Sequence, residues 1–97
     1  VANINGYHIY KSADGHMIWN TSLPWDEGHT HGIRSLAMAE QIIDNVHKKR
    51  IPTTRREYLL ESHIRLAGDT DYKDKLIGLK ARRMDRKQIY FNPHLKR

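Results

Sequence analysis

The 97-residue chain contains no cysteine, which excludes disulfide staples and thiolate metal sites. It has no long apolar run, and its mean hydropathy is −0.79. Nothing in it approaches a membrane span, and no signal-type apolar region opens it. These absences lead us to expect a soluble, cytoplasmic protein. The HExxH pattern is missing, as are the glycine patterns of P-loop and dinucleotide-binding folds. An RNP1-like sequence and a GxxG loop are also missing, which argues against the common RNA-binding sheet and KH folds. We find no internal repeat, low-complexity tract or linker, so the chain reads as one domain with one modest core.

Basic residues are scarce at one end, with Lys11 alone in residues 1–32. The formal net charge is +6, but residues 1–32 carry −2, residues 33–72 carry +1 and residues 73–97 carry +7. Such asymmetry points to an anionic partner, most often nucleic acid or a ribonucleoprotein. The alternative is a well-solvated helix face.

Phenylalanine occurs once, but there are two Trp and five Tyr, enough for a small core to bury useful area. "GYHIYKSADGHMIWNT" predicts a β-hairpin over 7–21, with Asp14-Gly15 as a type I′ turn. In that register Ala13 faces His16 and Tyr10 faces Trp19. Tyr10, Trp19 and His8 then share one face, and Tyr7, Ile9 and Ile18 share the other. Residues 22–32 are rich in turn formers and are expected to be loop. Apolar residues at helical spacing predict helices over about 33–50, 55–67 and 71–87.

Several residues mark the ends of these helices. Thr54 and Glu57 fit a capping box, Gly68 a C-terminal stop, and Asp69, Thr70 or Asp71 an N-cap. Glu61 and Arg65 are spaced for an i,i+4 pair. "QIYFN", residues 88–92, has strand character and would return as a third strand beside the hairpin, ahead of a basic tail ending at 97. The expected fold is α+β: a small antiparallel sheet packed against three helices.

Three groups of residues are candidates for function. The first is "DEGHTH", residues 26–31. Asp26, His29 and His31 would hold zinc or another divalent metal, and Glu27, His29 and His31 would serve as catalytic groups. The same residues also fit a loop that opens a helix, with Thr30 as its cap. The second group is cationic. "KKRIPTTRR" supplies Lys48, Lys49, Arg50, Arg55 and Arg56 around an interhelical turn. On the third helix Lys75, Arg82 and Arg86 form one stripe, and Lys73, Lys80 and Lys87 a second, with Arg83 beside it. Leu76, Ile77, Leu79 and Met84 lie between and beside the stripes. These cations suit phosphate contacts, although long stems also cover apolar surface. The third group is aromatic: Tyr7, Trp25, Tyr90 and Phe91 would stack on bases if exposed. His63, amid the apolar arc of the second helix, reads as a core histidine with a hydrogen-bond partner.

These features support three readings. The leading one is a non-enzymatic nucleic-acid-binding domain that contacts phosphates through the 48–56 turn and the third helix. Joined by "RIPTT", the first two helices would allow a helix-turn-helix variant of it. The second is a small metal- or histidine-dependent nuclease using the DEGHTH loop. The third is a protein-interaction module, such as an inhibitor from a mobile element docking on a host complex.

Overall fold

The computed structural model describes residues 2–54 and 56–91, with side chains as far as residue 84. It is an α+β fold. A four-stranded antiparallel sheet in the order β1-β2-β3-β4 is followed by three helices.

The sheet is larger than the expected hairpin, and its extra strands come from elsewhere. β1 (Ala2–Ile4) and β2 (Tyr7–Ser12) are joined by Asn5-Gly6. Both turn residues have positive φ, 53° and 84°, as a type I′ turn requires. β3 (Gly15–Asn20) follows, and β4 is His29–Ile33, inside the segment expected to be loop. Only 21–28 remain a loop between β3 and β4. Ile33 pairs with His16 and Thr30 with Ile18, so β4 carries one extra residue. This bulge, with Gly32 at φ +76°, breaks the period-two alternation that marks a strand. The expected strand at 88–92 does not form, because residues as far as Phe91 belong to the last helix. Asn92 and the rest of the basic tail lie outside the described residues.

The β2–β3 register differs from expectation by two residues. Ser12 pairs with Gly15, Tyr10 with Met17 and His8 with Trp19. The turn is Ala13-Asp14, and neither has positive φ; that demand falls on Gly15, at φ +131°. A Cβ on Gly15 would run into the Ile33 carbonyl oxygen. A two-residue slip keeps every side chain on its face. Tyr7, Ile9 and Ile18 are buried on the core side, so Tyr7 is not a free ring.

The helices are shorter or longer than their apolar periodicity suggests. α1 is Leu36–His47 rather than 33–50, with Ser35, not Thr30, as N-cap; its hydroxyl accepts from Met38 N. Lys48, Lys49 and Arg50 therefore lie past the helix. Lys49 takes φ +55°. Arg50 N donates to Asn45 O at 2.7 Å and Lys49 N to Val46 O at 3.2 Å, the paired bonds of a Schellman stop.

α2 is Glu57–Leu66, with Arg56 as an N-cap that makes no side-chain cap bond. Thr54 Oγ1 instead accepts from Arg56 N in a local turn, so the capping box is not formed. The nine residues 48–56 between α1 and α2 exceed a helix-turn-helix turn. Gly68 is not a left-handed stop: Ala67 ends α2 in extended conformation, and Gly68 sits against Asn20 and Leu23. α3 is Thr70–Phe91. Asp69 caps it as expected, accepting from Tyr72 N at 2.9 Å.

α1 and α2 lie across one face of the sheet, and α3 packs against α2. Ile18, Ile33, Ile43, Leu60, Leu66 and Leu76 fill the centre, each essentially inaccessible. Fully burying a side chain of this size contributes roughly 1.5–3 kcal/mol. Asn20 Nδ2 donates to Leu66 O at 2.8 Å, tying the end of β3 to the end of α2. The core histidine of α2 behaves as expected. His63 Nδ1 donates to Leu59 O at 2.6 Å, which leaves Nε2 to accept from Asn45 Nδ2 at 3.2 Å. Burial pushes its pKa down, so it is held neutral.

Candidate functional site

With the helices on one face, the other face of the sheet is open. Strand alternation places His8 and Tyr10 of β2, Met17 and Trp19 of β3, and His29 and His31 of β4 on it. All but Met17 are rings. His8 packs edge-on against Tyr10 and Trp19, with centroids 6.1 and 5.7 Å away.

The 21–28 loop folds back over this face. Trp19 Nε1 donates to Leu23 O at 3.0 Å, and Glu27 N and Gly28 N both donate to Pro24 O. The loop thus sets Trp25 at the centre of the ring cluster. Its indole meets Tyr10 and Trp19 edge-on at 6.2 and 5.7 Å, and stacks on His29 at 4.5 Å, tilted by only 4°. His29 Nδ1 donates to Trp25 O, which orients the imidazole and leaves Nε2 free to accept when the ring is neutral. Even so, Trp25 remains 40% exposed.

The DEGHTH residues are only partly brought together. His29 and His31 share the open face, their centroids 6.1 Å apart. His31 Nδ1 lies 3.9 Å from Asp14 Oδ2, both exposed. The Ser12 hydroxyl donates to Asp14 at 2.6 Å and, with a backbone bond and the nearby His31, holds its carboxyl below the usual range. Asp26 and Glu27 lie exposed in the loop. Among the described residues no three His, Asp or Glu side chains are grouped to hold a metal.

The cations fall into two sets. At the α1 end, Lys48 and Arg50 both reach Asp44 at 3.1 Å, and Lys49 lies 3.6 Å from Asp69. The two carboxylates offset two of the three cations. Asp44 is held low chiefly by the Lys48 hydrogen bond, and Asp69 chiefly by the Tyr72 amide, with Lys49 and Lys75 adding to it. Arg56, nearby in sequence, donates to the Tyr58 hydroxyl at 3.4 Å.

The second set lies along α2 and α3. Lys80 Nζ donates to Glu61 at 2.6 Å, and Arg65 Nε lies 3.8 Å from the same carboxylate. Lys75 and Arg82 are exposed. Arg83 is half-buried, and its Nη1 has no hydrogen-bond partner among the described residues. Leu76 is buried and Leu79 packs on the core, but Ile77 and Met84 of the expected apolar seam are exposed. Arg55 lies outside the described residues, as do the side chains of Arg86, Lys87, Tyr90 and Phe91.

The ring face and the second cation set adjoin. Thr30 and His31 of β4 line one shallow pocket, about 160 Å³, together with Tyr58, Glu61, Ser62 and Arg65 of α2. The surface therefore runs from Trp25 and the histidines across β4 to Arg65, Glu61 and Lys80. Sequence reasoning placed His8, Tyr10 and Trp19 on one face. It missed that β4 extends this face and that the loop lays Trp25 on it. Comparison of the chain with family profiles, curated proteins and solved structures returns no match.

Proposed function

We propose that this chain is a non-enzymatic nucleic-acid-binding module that holds phosphates on the outer side of α2 and along α3. The observation that carries this reading is the course of α3. Its last apolar side chain packed on the core, among the described residues, is Leu79, yet the helix continues to Phe91. At 1.5 Å per residue that is about 18 Å of helix. From Lys80 to Phe91 the sequence supplies Lys80, Arg82, Arg83, Arg86 and Lys87 against Asp85. Like charges crowded on one helix repel and lower its stability. A polyanion running beside it relieves that repulsion and releases its own counterions.

The 48–56 turn plays a smaller part than α3, because Asp44 and Asp69 already offset two of the three cations at its start. No observation favours the nuclease reading over binding: the histidines of the DEGHTH segment line an aromatic face, and among the described residues its two carboxylates join no metal-type cluster with them.

Fluorescence anisotropy with labelled RNA and DNA at several salt concentrations tests the proposal, with end-point samples run on a gel. Affinity is expected to fall steeply with salt while the probe stays uncut. Arg82→Glu and Lys75→Glu, both at exposed positions, are expected to weaken binding and lower the salt slope by about one for each lost phosphate contact. Metal-dependent cutting overturns the proposal in favour of a nuclease. Absence of binding at low salt overturns it in favour of a protein partner.

A further inference from the structure

We infer that the open face of the sheet, centred on Trp25, is a stacking site for an unpaired nucleobase, which makes the preferred ligand single-stranded. This rests on the nucleic-acid reading above and adds to it the class of strand.

The argument starts from composition of the face. Five of the six large side chains that alternation places there are rings, and the loop contributes a sixth ring. A face that served only to shield the sheet would gain as much from aliphatic residues, which are favoured on strands and carry no polar atoms needing partners. The ring at the centre is also left open to solvent. His29 covers one face of the Trp25 indole in a parallel stack, while 40% of the residue stays accessible. Leaving so much of a tryptophan in water forfeits part of the largest burial gain available to any side chain. A base laid on the accessible part of the indole would add one more ring to the cluster.

The platform is held ready. The Trp19 and His29 hydrogen bonds to the Leu23 and Trp25 carbonyls fix the loop and the stacked imidazole, so little order has to be acquired on binding.

Charge chooses among flat ligands. Across β4 the face is continuous with Arg65 and, through Glu61, with Lys80. Three exposed carboxylates stand in the turns that border the face, Asp26 and Glu27 in the Trp25 loop and Asp14 beside His31. A ligand with a flat ring and an attached anion fits only one way, ring on Trp25 and phosphate toward α2. In a duplex the base faces are stacked on each other and unavailable, so an unpaired strand is required.

The test compares a single-stranded oligonucleotide with a duplex of the same length, against wild type, Trp25→Ala and Trp25→Phe, each first shown by circular dichroism to melt as wild type does. Single-strand binding is expected to quench tryptophan fluorescence. Trp25→Ala is expected to lose roughly five- to 150-fold in single-strand affinity, the range found for removing one stacking ring. Trp25→Phe should recover most of that loss, and duplex affinity and the salt slope should not change. Asp26→Asn with Glu27→Gln should tighten single-strand binding. Equal single-strand affinity in wild type and Trp25→Ala, or an equal loss on duplex, overturns this inference while leaving the phosphate-binding reading intact. Salt-insensitive or absent binding by wild type overturns both.

Discussion

Thr30 and Ser62 join β4 to α2 through one buried hydroxyl pair, and its direction can be worked out. Ser62 Oγ donates to Tyr58 O at 2.9 Å, which uses its only proton. The 2.9 Å contact with Thr30 Oγ1 must then be donated by Thr30. The two single substitutions are therefore unequal. Thr30→Val removes a donor and leaves Ser62 with its Tyr58 bond, at a cost of about 1 kcal/mol. Ser62→Ala strands the Thr30 hydroxyl, which is 4% exposed, without an acceptor. Orphaning a buried group costs about 1–3 kcal/mol, less about 0.5 kcal/mol for the better helix propensity of alanine. In the double variant no hydroxyl remains to be satisfied, and stability is expected to return to within about 1 kcal/mol of wild type. From mid-range values the coupling is about −2 kcal/mol, outside the error of additivity. Urea unfolding of the four proteins, followed by tryptophan fluorescence at pH 7, measures it. Additive losses, or a double variant worse than Ser62→Ala, would refute the assigned donor and the reasoning built on it.

Two further predictions concern the helix ends and the core. Lys49 holds a left-handed backbone with a side chain that disfavours it, and its ion pair with Asp69 is largely exposed. Lys49→Gly should therefore be more stable than Lys49→Ala by about 1 kcal/mol in thermal or urea unfolding, and equal stabilities would sink this account. His63 is kept neutral by burial, with a native pKa below the ordinary one. The unfolded chain then binds the extra proton first, so this contribution to stability is complete above about pH 6.5 and is lost as pH falls toward the native value. His63→Gln should make the stability curve shallower below pH 6.5, by up to about 1.4 kcal/mol per pH unit. An unchanged slope would show that His63 titrates alike in both states.

The fold class, the core faces of β2 and β3 and the three helices were legible in the sequence because they follow from periodicity. Where periodicity fails, so did the reading. Asn5-Gly6 is as strong a turn signal as any in the chain, but a three-residue strand before it leaves almost no pattern to notice. β4 was hidden by its bulge: Thr30 and Ile33 both point inward though three residues apart. "QIYFN" carries strand propensity, but α3 runs through it as far as Phe91, and local preference yields to continuing an established helix. At the candidate site, one face for His8, Tyr10 and Trp19 followed from alternation. The place of Trp25 did not, because it depends on how a loop folds back. The Asp44 and Asp69 pairings of the 48–50 cations depend on tertiary contacts and the Schellman turn, which charge counting does not contain.

Every strand of the sheet pairs with its neighbour in sequence, across links of two, two and eight residues. Closing such short loops costs little chain entropy, and local pairings of this kind form quickly. The bond from Asn20 to Leu66, by contrast, spans 46 residues. All the rings of the open face come from residues 8–31. The aromatic surface is therefore encoded in the first third of the chain, and the cationic surface almost wholly in the rest. Sequence change in the helices can retune charge without redrawing the rings, so the two halves of the surface are free to evolve at different rates.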